Sequence, residues 1–506
     1  MSRRIRHPLA IVGIFFYLMM MSPFAHAEPQ GTLVVGMEAE TYSMDPLVSW
    51  MTYGMVMMRQ IYDTPIDFDR HGNLVPRLAT DWEMIDDLTW RFHLRKGVTF
   101  HNGYPMTAED IKFSLERILD PQNKCRYRSR YSTVDKLIAV DDHTLDIKTK
   151  TPDAVLPRRI AFFVRVVSKK WVEENGVEML RKQAMGTGPF KFESWQRKNR
   201  LVLKANTEHY MSVPKIDTLI FRPIPEMGAR MAELQAGSVH IITNVPPFMQ
   251  EQLAQAPEIE VQKVLSLRSL FMVLNTLDVP ELQNQKVRQA LNYAVNKQAI
   301  IDGVLSGLGE PLGLSAAMHV KGVDNSIKPY PYDPEKAKAL IKEAGYPNGF
   351  KLNLYSPSGR YPMDKEVVQA IGAQLAEIGI KPEIHVMETQ KYFKDFIGKK
   401  LQGAFLIGHA LMLWDQGLIV SFVNPESSYC HYKNPEIETL IHKMRSILDQ
   451  KKRYEVGSKI QWIIHDEAPM IFLYNQENAY GVSTKIDGFQ ARADDHMNLW
   501  EVSIKE

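Results

Sequence analysis

Apolar residues recur along the chain with two distinct periods. Trp90, Phe92 and Leu94 alternate with Arg91, His93 and Arg95. A period of two predicts a strand with one buried and one solvated face. Leu145 and Ile147 repeat the pattern within residues 143–148, and Leu33, Val34 and Val35 open a strand in residues 31–37. Phe190 and Phe192, then Leu201 and Leu203, flank a polar turn at 196–199 and read as a hairpin. The helical period is as clear. Ile111, Leu115, Ile118 and Leu119 share one face behind Thr107-x-x-Asp110, a capping-box pattern, and Pro121 stops the run. Val287, Leu291, Ala294 and Val295 repeat that spacing. Asp333-Pro334 starts a helix that buries Leu340, Ile341 and Ala344 and stops at Gly345. Val368, Ile371, Leu375 and Ile378 form the next, ended by Gly379, and a strand follows in which Ile384 and Val386 alternate. This helix–strand rhythm beyond about residue 280 predicts parallel β–α units, hence an α/β fold.

The N-terminus reads as an address rather than as structure. Arg3, Arg4 and Arg6 precede an apolar run, 9–21, of about 13 residues, within the ~7–15 of a signal-peptide core and short of the ~20 that span a bilayer. Pro23 breaks the run and Ala25-His26-Ala27 is a small-x-small cleavage site, so the mature chain is expected to begin at Glu28. Arg6 occupies the position where a twin-arginine signal carries an apolar residue, which favours general secretion. No cysteine sits near the cleavage site, which excludes a lipoprotein anchor.

Composition narrows the classes. The 506 residues suggest two or three domains, and 45% hydrophobic with 24% charged residues exclude wholesale disorder. Loss of the leader's three arginines leaves 58 basic against 59 acidic residues, too balanced for a protein built around nucleic-acid phosphates. A neutral exported chain fits the bacterial periplasm. Cys125 and Cys430 are too few for a disulfide scaffold or a cysteine-built metal site, and nothing in the sequence brings the two together.

Catalytic signatures are missing. The chain has no G-x-x-x-x-G-K-S/T loop, no G-x-S-x-G and no H-E-x-x-H, and its 15 histidines show no metal-ligand spacing. The acidic pairs Asp86-Asp87 and Asp494-Asp495 lie in turn-like stretches and read as solvated loops rather than as acid/base pairs. We therefore expect binding rather than catalysis, with no cofactor and no metal.

One ordered set of blocks carries a resemblance. Leu78-Ala-Thr-Asp-Trp82, the stretch Asp87-Leu-Thr-Trp-Arg-Phe-His-Leu-Arg-Lys-Gly97 with Phe100, and Thr107-Ala-Glu-Asp110 are similar to the bacterial extracellular solute-binding proteins of the peptide/nickel/opine class, family 5. Gly186-Thr-Gly-Pro-Phe190, 206–210, Asn275 with Val287-Arg-Gln-Ala-Leu291, 333–346, 376–380 and Ala468-Pro-Met-Ile-Phe-Leu473 follow in the family's order and cover nearly the whole mature chain. The resemblance implies the two-lobe periplasmic-binding-protein fold with an extra subdomain in the first lobe. It places a first lobe at 28–270, the subdomain at about 71–184, a second lobe at 271–475 and a return to the first lobe at 476–506. It implies a monomeric receptor that closes on a small-molecule or short-peptide ligand and delivers it to the inner-membrane permease of an ABC importer.

The resemblance also implies the ligand-binding residues. Ser358-Gly-Arg360-Tyr361-Pro-Met363-Asp364 matches the segment that offers an arginine to a ligand carboxylate, a task suited to a planar, bidentate guanidinium. Gly408-His409-Ala410-Leu411-Met412-Leu413-Trp414-Asp415 matches a Gly-Trp-x-x-Asp segment whose aspartate pairs with an α-amine; His409 then replaces the tryptophan and Met412 the aspartate, with Asp415 the alternative partner. A methionine cannot pair with an ammonium, which argues against an ordinary peptide. Trp50, Met51, Thr52 and Tyr53 correspond to the ligand-facing loop of the first lobe, and Met51 and Met412 would give the pocket adaptable walls. Tyr474, Gln476 and Asn478 follow an apolar strand near the return crossing and are expected to face the cleft. The ligand is then a peptide or peptide-like carboxylate. The alternatives are an opine or sugar-acid conjugate, then a nickel chelate served by His409. A periplasmic hydrolase or a chaperone is the reading from another class; the first lacks a nucleophile–base pair and the second has no use for Arg360.

Overall fold

The structure, a computed structural model, describes residues 28–49 and 51–505. The expected leader, 1–27, and Trp50 of the expected ligand loop lie outside the described residues.

Two long antiparallel strands, Ile259–Leu274 and Met470–Ser483, form the spine. On one side the sheet continues through Ala404–Ala410, Lys351–Pro357 and Lys381–Met387. On the other it continues through Ile241–Ile242, Thr32–Met37, Thr218–Pro223, Arg200–Ala205 and Phe190–Gln196. The two groups of strands are the centres of two lobes, and the spine crosses from one to the other.

The second lobe contains the β–α rhythm that the periodicity predicts. Lys351–Pro357 pairs in parallel with Lys381–Met387 on one edge and with the start of Ala404–Ala410 on the other. Helix Asp364–Glu377 makes the crossover and buries Val368, Ile371 and Leu375 against Leu354 and Leu406. In the first lobe, Leu33, Val35, Leu219 and Phe221 pack against Met58 and Ile61 of helix Thr52–Ile61. The expected hairpin is Phe190–Gln196 with Arg200–Ala205.

A separate four-stranded antiparallel sheet orders Ala79–Asp86, Thr89–Leu94, Thr144–Thr149 and Val134–Asp141. Helix Ala108–Leu119 packs beside it; the Thr107 N–H donates to Asp110 Oδ2 at 2.9 Å, one arm of the expected capping box. Phe92, Leu94, Leu145 and Ile147 from the sheet meet Ile111, Leu115 and Ile118 from the helix. Cys125 and Cys430 are both buried and unpaired.

The spine is not continuous. Residues 259–265 pair with 477–483, the ladder breaks, and pairing resumes at Ser269 with Asn475. Into the break reaches Asn475, whose Nδ2 donates to the carbonyls of Ser266 at 2.7 Å and Arg268 at 3.0 Å. Ser266 Oγ returns a bond to the carbonyl of Gln476 at 2.8 Å. The backbone groups released by the irregularity are thus satisfied by side chains, as buried polar groups must be.

Candidate functional site

A cavity of about 490 Å³ lies where the spine crosses. Segments remote in sequence converge on it. Glu38 follows strand Thr32–Met37, and Met51, Thr52 and Tyr53 open helix Thr52–Ile61. Arg268, Tyr474, Gln476 and Asn478 come from the spine, Arg360 and Tyr361 from the loop before helix Asp364–Glu377, and Asp495 from the C-terminal return.

The loop carrying Arg360 is held by one carboxylate. Asp364, buried at the start of its helix, accepts the backbone N–H groups of Gly359 at 3.2 Å, Arg360 at 2.7 Å and Tyr361 at 3.1 Å. Tyr361 folds inward over Gly408, where an added Cβ would lie 2.5 Å from the ring, so residue 408 has no room for a side chain. Arg360 is left exposed to the cavity, its guanidinium 5.2 Å from the centre of the Tyr361 ring. Fixed backbone and free head group suit an arginine that receives a planar anion.

The spine adds a second guanidinium and a polar relay. Arg268 is half-buried, and among the described residues its guanidinium makes one hydrogen bond, from Nη1 to the carbonyl of Gly408 at 3.5 Å. Burial, then the charge of Arg360, pull its pKa down, while Asp495 acts in the opposite direction. Gln476 Nε2 donates to Asn478 Oδ1 at 2.6 Å, and Asn478 Nδ2 donates to Asp495. Burial pushes the Asp495 carboxyl up to about 6. Glu38, across the cavity, accepts the Thr243 hydroxyl at 2.9 Å. The cavity therefore carries both signs of charge on walls that also include Met51, Tyr474 and Tyr480. Among the described residues no group of three His, Cys, Asp or Glu is arranged to hold a metal ion.

Residues 73–424 match the bacterial extracellular solute-binding proteins, family 5. The chain belongs to this family. It is 27% identical over 489 residues to the glutathione-binding protein GsiB of Pectobacterium atrosepticum, covering 94% of each chain. The structure is similar to that of the periplasmic binding protein DppA of Helicobacter pylori in complex with the peptide STSA, with a TM-score of 0.79, 28% identity, 94% of this chain and 98% of that one. It is similar also to AgaA of A. tumefaciens in complex with agropinic acid, with a TM-score of 0.78, 26% identity, 94% of this chain and 99% of that one. These solute-binding proteins share the two-lobe architecture described above.

Within this family framework the expected ligand residues divide. Met51, Thr52, Tyr53, Arg360, Tyr361, Tyr474 and Asn478 all line the one cavity. His409, Met412, Trp414 and Asp415 do not line it. His409 lies on strand Ala404–Ala410 against Phe422, ring centres 5.1 Å apart, and burial, then Arg130 and Arg268, pull its pKa down to about 3. Met412 packs half-buried on the apolar core. Trp414 is 2% exposed, has φ +53° and lies on Gly72, where a Cβ would sit 2.3 Å from the indole. Asp415 is occupied by Arg453 and takes further bonds from the Tyr454 hydroxyl at 3.2 Å and the Gly417 N–H at 2.8 Å. Arg158 ties this segment to the subdomain, donating to the carbonyls of Gly72 at 3.1 Å and Leu413 at 3.0 Å.

The reading of Asp494-Asp495 as a solvated pair is corrected. Asp494 is 1% exposed and accepts Arg492 Nε at 2.9 Å and Nη2 at 2.6 Å, whereas Asp495 faces the cavity. The left-handed backbone of Asp495, φ +60°, belongs to the turn that sends the two side chains different ways. Arg268, Glu38, Glu477 and Asp495 are charged cavity residues that sequence reasoning missed. Arg268 alone left a signal, a charge inside the apolar run Leu265–Phe271. Asp86 and Asp87 are exposed, as expected.

Proposed function

We propose that the chain is the periplasmic receptor of an ABC importer for short peptide-like solutes bearing a carboxylate. The observation that carries this reading is Arg360: a guanidinium facing the inter-lobe cavity, on a backbone fixed by Asp364, with no carboxylate of the protein within 4.0 Å among the described residues. Glutathione, the peptide STSA and agropinic acid, named for the relatives above, each carry a carboxylate. Glu38 and Asp495 stand ready for an ammonium, the role that Met412 cannot fill. The leader at 1–27 takes the chain to the periplasm, where it acts as a monomer and hands its ligand to the permease.

The lobe boundaries at 270 and 475 follow from the same reading. They flank the ladder break at 266–268, which we take as the hinge, with the subdomain at about 71–184 riding on the first lobe. A second reading, a non-peptide carboxylate such as an opine or a sugar-acid conjugate, is favoured by the absence of a free acidic side chain in 408–415, since Asp415 is engaged by Arg453.

Native mass spectrometry of protein purified from the periplasm, with the bound compound released and fragmented, decides between them. Short peptides support the first reading and one carboxylated compound without a free α-amine supports the second. A bound compound with no acidic group overturns both, as does unchanged binding by Arg360→Ala.

A further inference from the structure

We propose that Arg268 is a second anion-binding residue, and that the solute carries two acidic groups, one for each of Arg268 and Arg360. The proposal rests on the receptor reading above and narrows its ligand class.

Arg268 occupies an inward-facing stretch of the spine, between Leu267, 1% exposed, and Leu270, 0% exposed. A half-buried guanidinium costs free energy unless an anion or several acceptors surround it. Arg268 has one acceptor, the Gly408 carbonyl, at the outer limit of a hydrogen bond, and no carboxylate within 4.0 Å among the described residues. Arg360 faces the same cavity and is likewise without a carboxylate partner among them. Two like charges at one cavity repel, and here each lowers the other's reason to be there. An anion at each head group removes both costs at once.

Asp495 attracts Arg268 from beyond ion-pair distance. Its oxygen is committed to the Asn478 carboxamide, and its raised pKa leaves its negative charge incomplete just below neutrality. It therefore moderates Arg268 without satisfying it. The ligand chemistry that fits is a diacid with a polar or cationic centre: a γ-glutamyl or acidic peptide, or a dicarboxylic conjugate. A simple tripeptide with one carboxylate satisfies only Arg360. Because Arg268 stands at the ladder break and Arg360 on the loop before helix Asp364–Glu377, a diacid spans the crossing strand and that loop.

Calorimetry on the full mature chain tests this, with glutathione and γ-glutamyl-alanine as two-carboxylate probes and alanyl-alanyl-alanine as the one-carboxylate probe. The wild type is expected to bind the diacids about 10–100-fold more tightly, the worth of a charge-assisted hydrogen-bond pair. Arg268→Gln, checked for an unchanged melting profile, abolishes that preference, and Arg268→Lys keeps part of it. Arg360→Ala weakens all three probes. Equal weakening of mono- and diacids by Arg268→Gln, or none, overturns the role of Arg268 and leaves the receptor reading standing. A co-purified solute with a single acidic group does the same. A folded wild type that binds no carboxylated compound overturns the receptor reading and this inference with it.

Discussion

The carboxylate of Asp415 is chelated by Arg453, whose Nη1 and Nη2 donate to its two oxygens at 2.8 and 2.6 Å, with the two side chains 1% and 5% exposed. Arg158 Nε stands 3.9 Å from the same carboxylate. Burial alone would raise the Asp415 pKa; the Arg453 hydrogen bonds and charge hold it below the usual carboxylate range. An aspartate so engaged is structural. Asp415→Asn leaves a buried arginine uncompensated and is expected to cost about 3–5 kcal/mol of stability. Melting curves should show that loss, while ligand affinity of the folded fraction stays unchanged. The double variant Asp415→Leu/Arg453→Met should lose less than the two single variants together.

Arg360 is the opposite case, exposed in the cavity and without an ion-pair partner among the described residues. Arg360→Ala is expected to leave the melting temperature within about 1 °C of wild type, as surface changes generally do. It should weaken carboxylate ligands by roughly 30–100-fold, the worth of charge-assisted bonds. Arg360→Lys should recover only part of this, because an ammonium lacks the planar fork. Asp364→Asn, which loosens the three backbone N–H bonds, should weaken binding less than Arg360→Ala. Titration calorimetry measures all three.

Gly72 has φ +71°, and an added Cβ would meet the Trp414 indole at 2.3 Å. Gly72→Ala combines a left-handed backbone with a clash against a fully packed ring, and should cost at least ~2 kcal/mol. Trp414→Ala empties the same contact and should cost about 3–5 kcal/mol. Both losses are read in denaturant melts, and neither should change ligand selectivity.

Acid should destabilise the fold before its ion-paired carboxylates titrate. Burial pulls the pKa of His431 down to about 4, and that of His496 to about 3 against the opposing charge of Asp494. A histidine whose folded pKa lies below its unfolded value contributes stability that is complete above about pH 6.5 and is lost as pH falls toward the folded pKa. Each is therefore expected to cost on the order of 1–2 kcal/mol between pH 7 and 5. His431 stacks on Phe396 and meets Phe405 edge-on, so His431→Phe should flatten its share of the decline. A second fall follows below pH 4, as Asp67, held near 2 by Arg59 against the cost of its burial, takes up a proton. Melting temperatures at fixed ionic strength from pH 8 to 3 test both stages.

Much of the fold was legible residue by residue. The capped helix Ala108–Leu119, the hairpin of Phe190–Gln196 with Arg200–Ala205, and the parallel units around helix Asp364–Glu377 all follow from periodicity and end signals, which depend on neighbours within a few residues. The candidate site was legible at Arg360 and Tyr361 and at residues 51–53, where a motif marked it, and at Tyr474, Gln476 and Asn478 beyond the apolar strand.

The sequence by itself determined an α/β chain of family 5, its element pattern and one candidate arginine. Tertiary structure alone decided which charges are free. Asp415 loses its freedom to Arg453, 38 residues on. Trp414 takes its place on Gly72, far back in the chain. Arg268 keeps its head group free for the cavity because no acidic side chain reaches it within ion-pair distance among the described residues. Secondary structure is encoded by local spacing, whereas the state of a charge depends on what long-range packing sets against it.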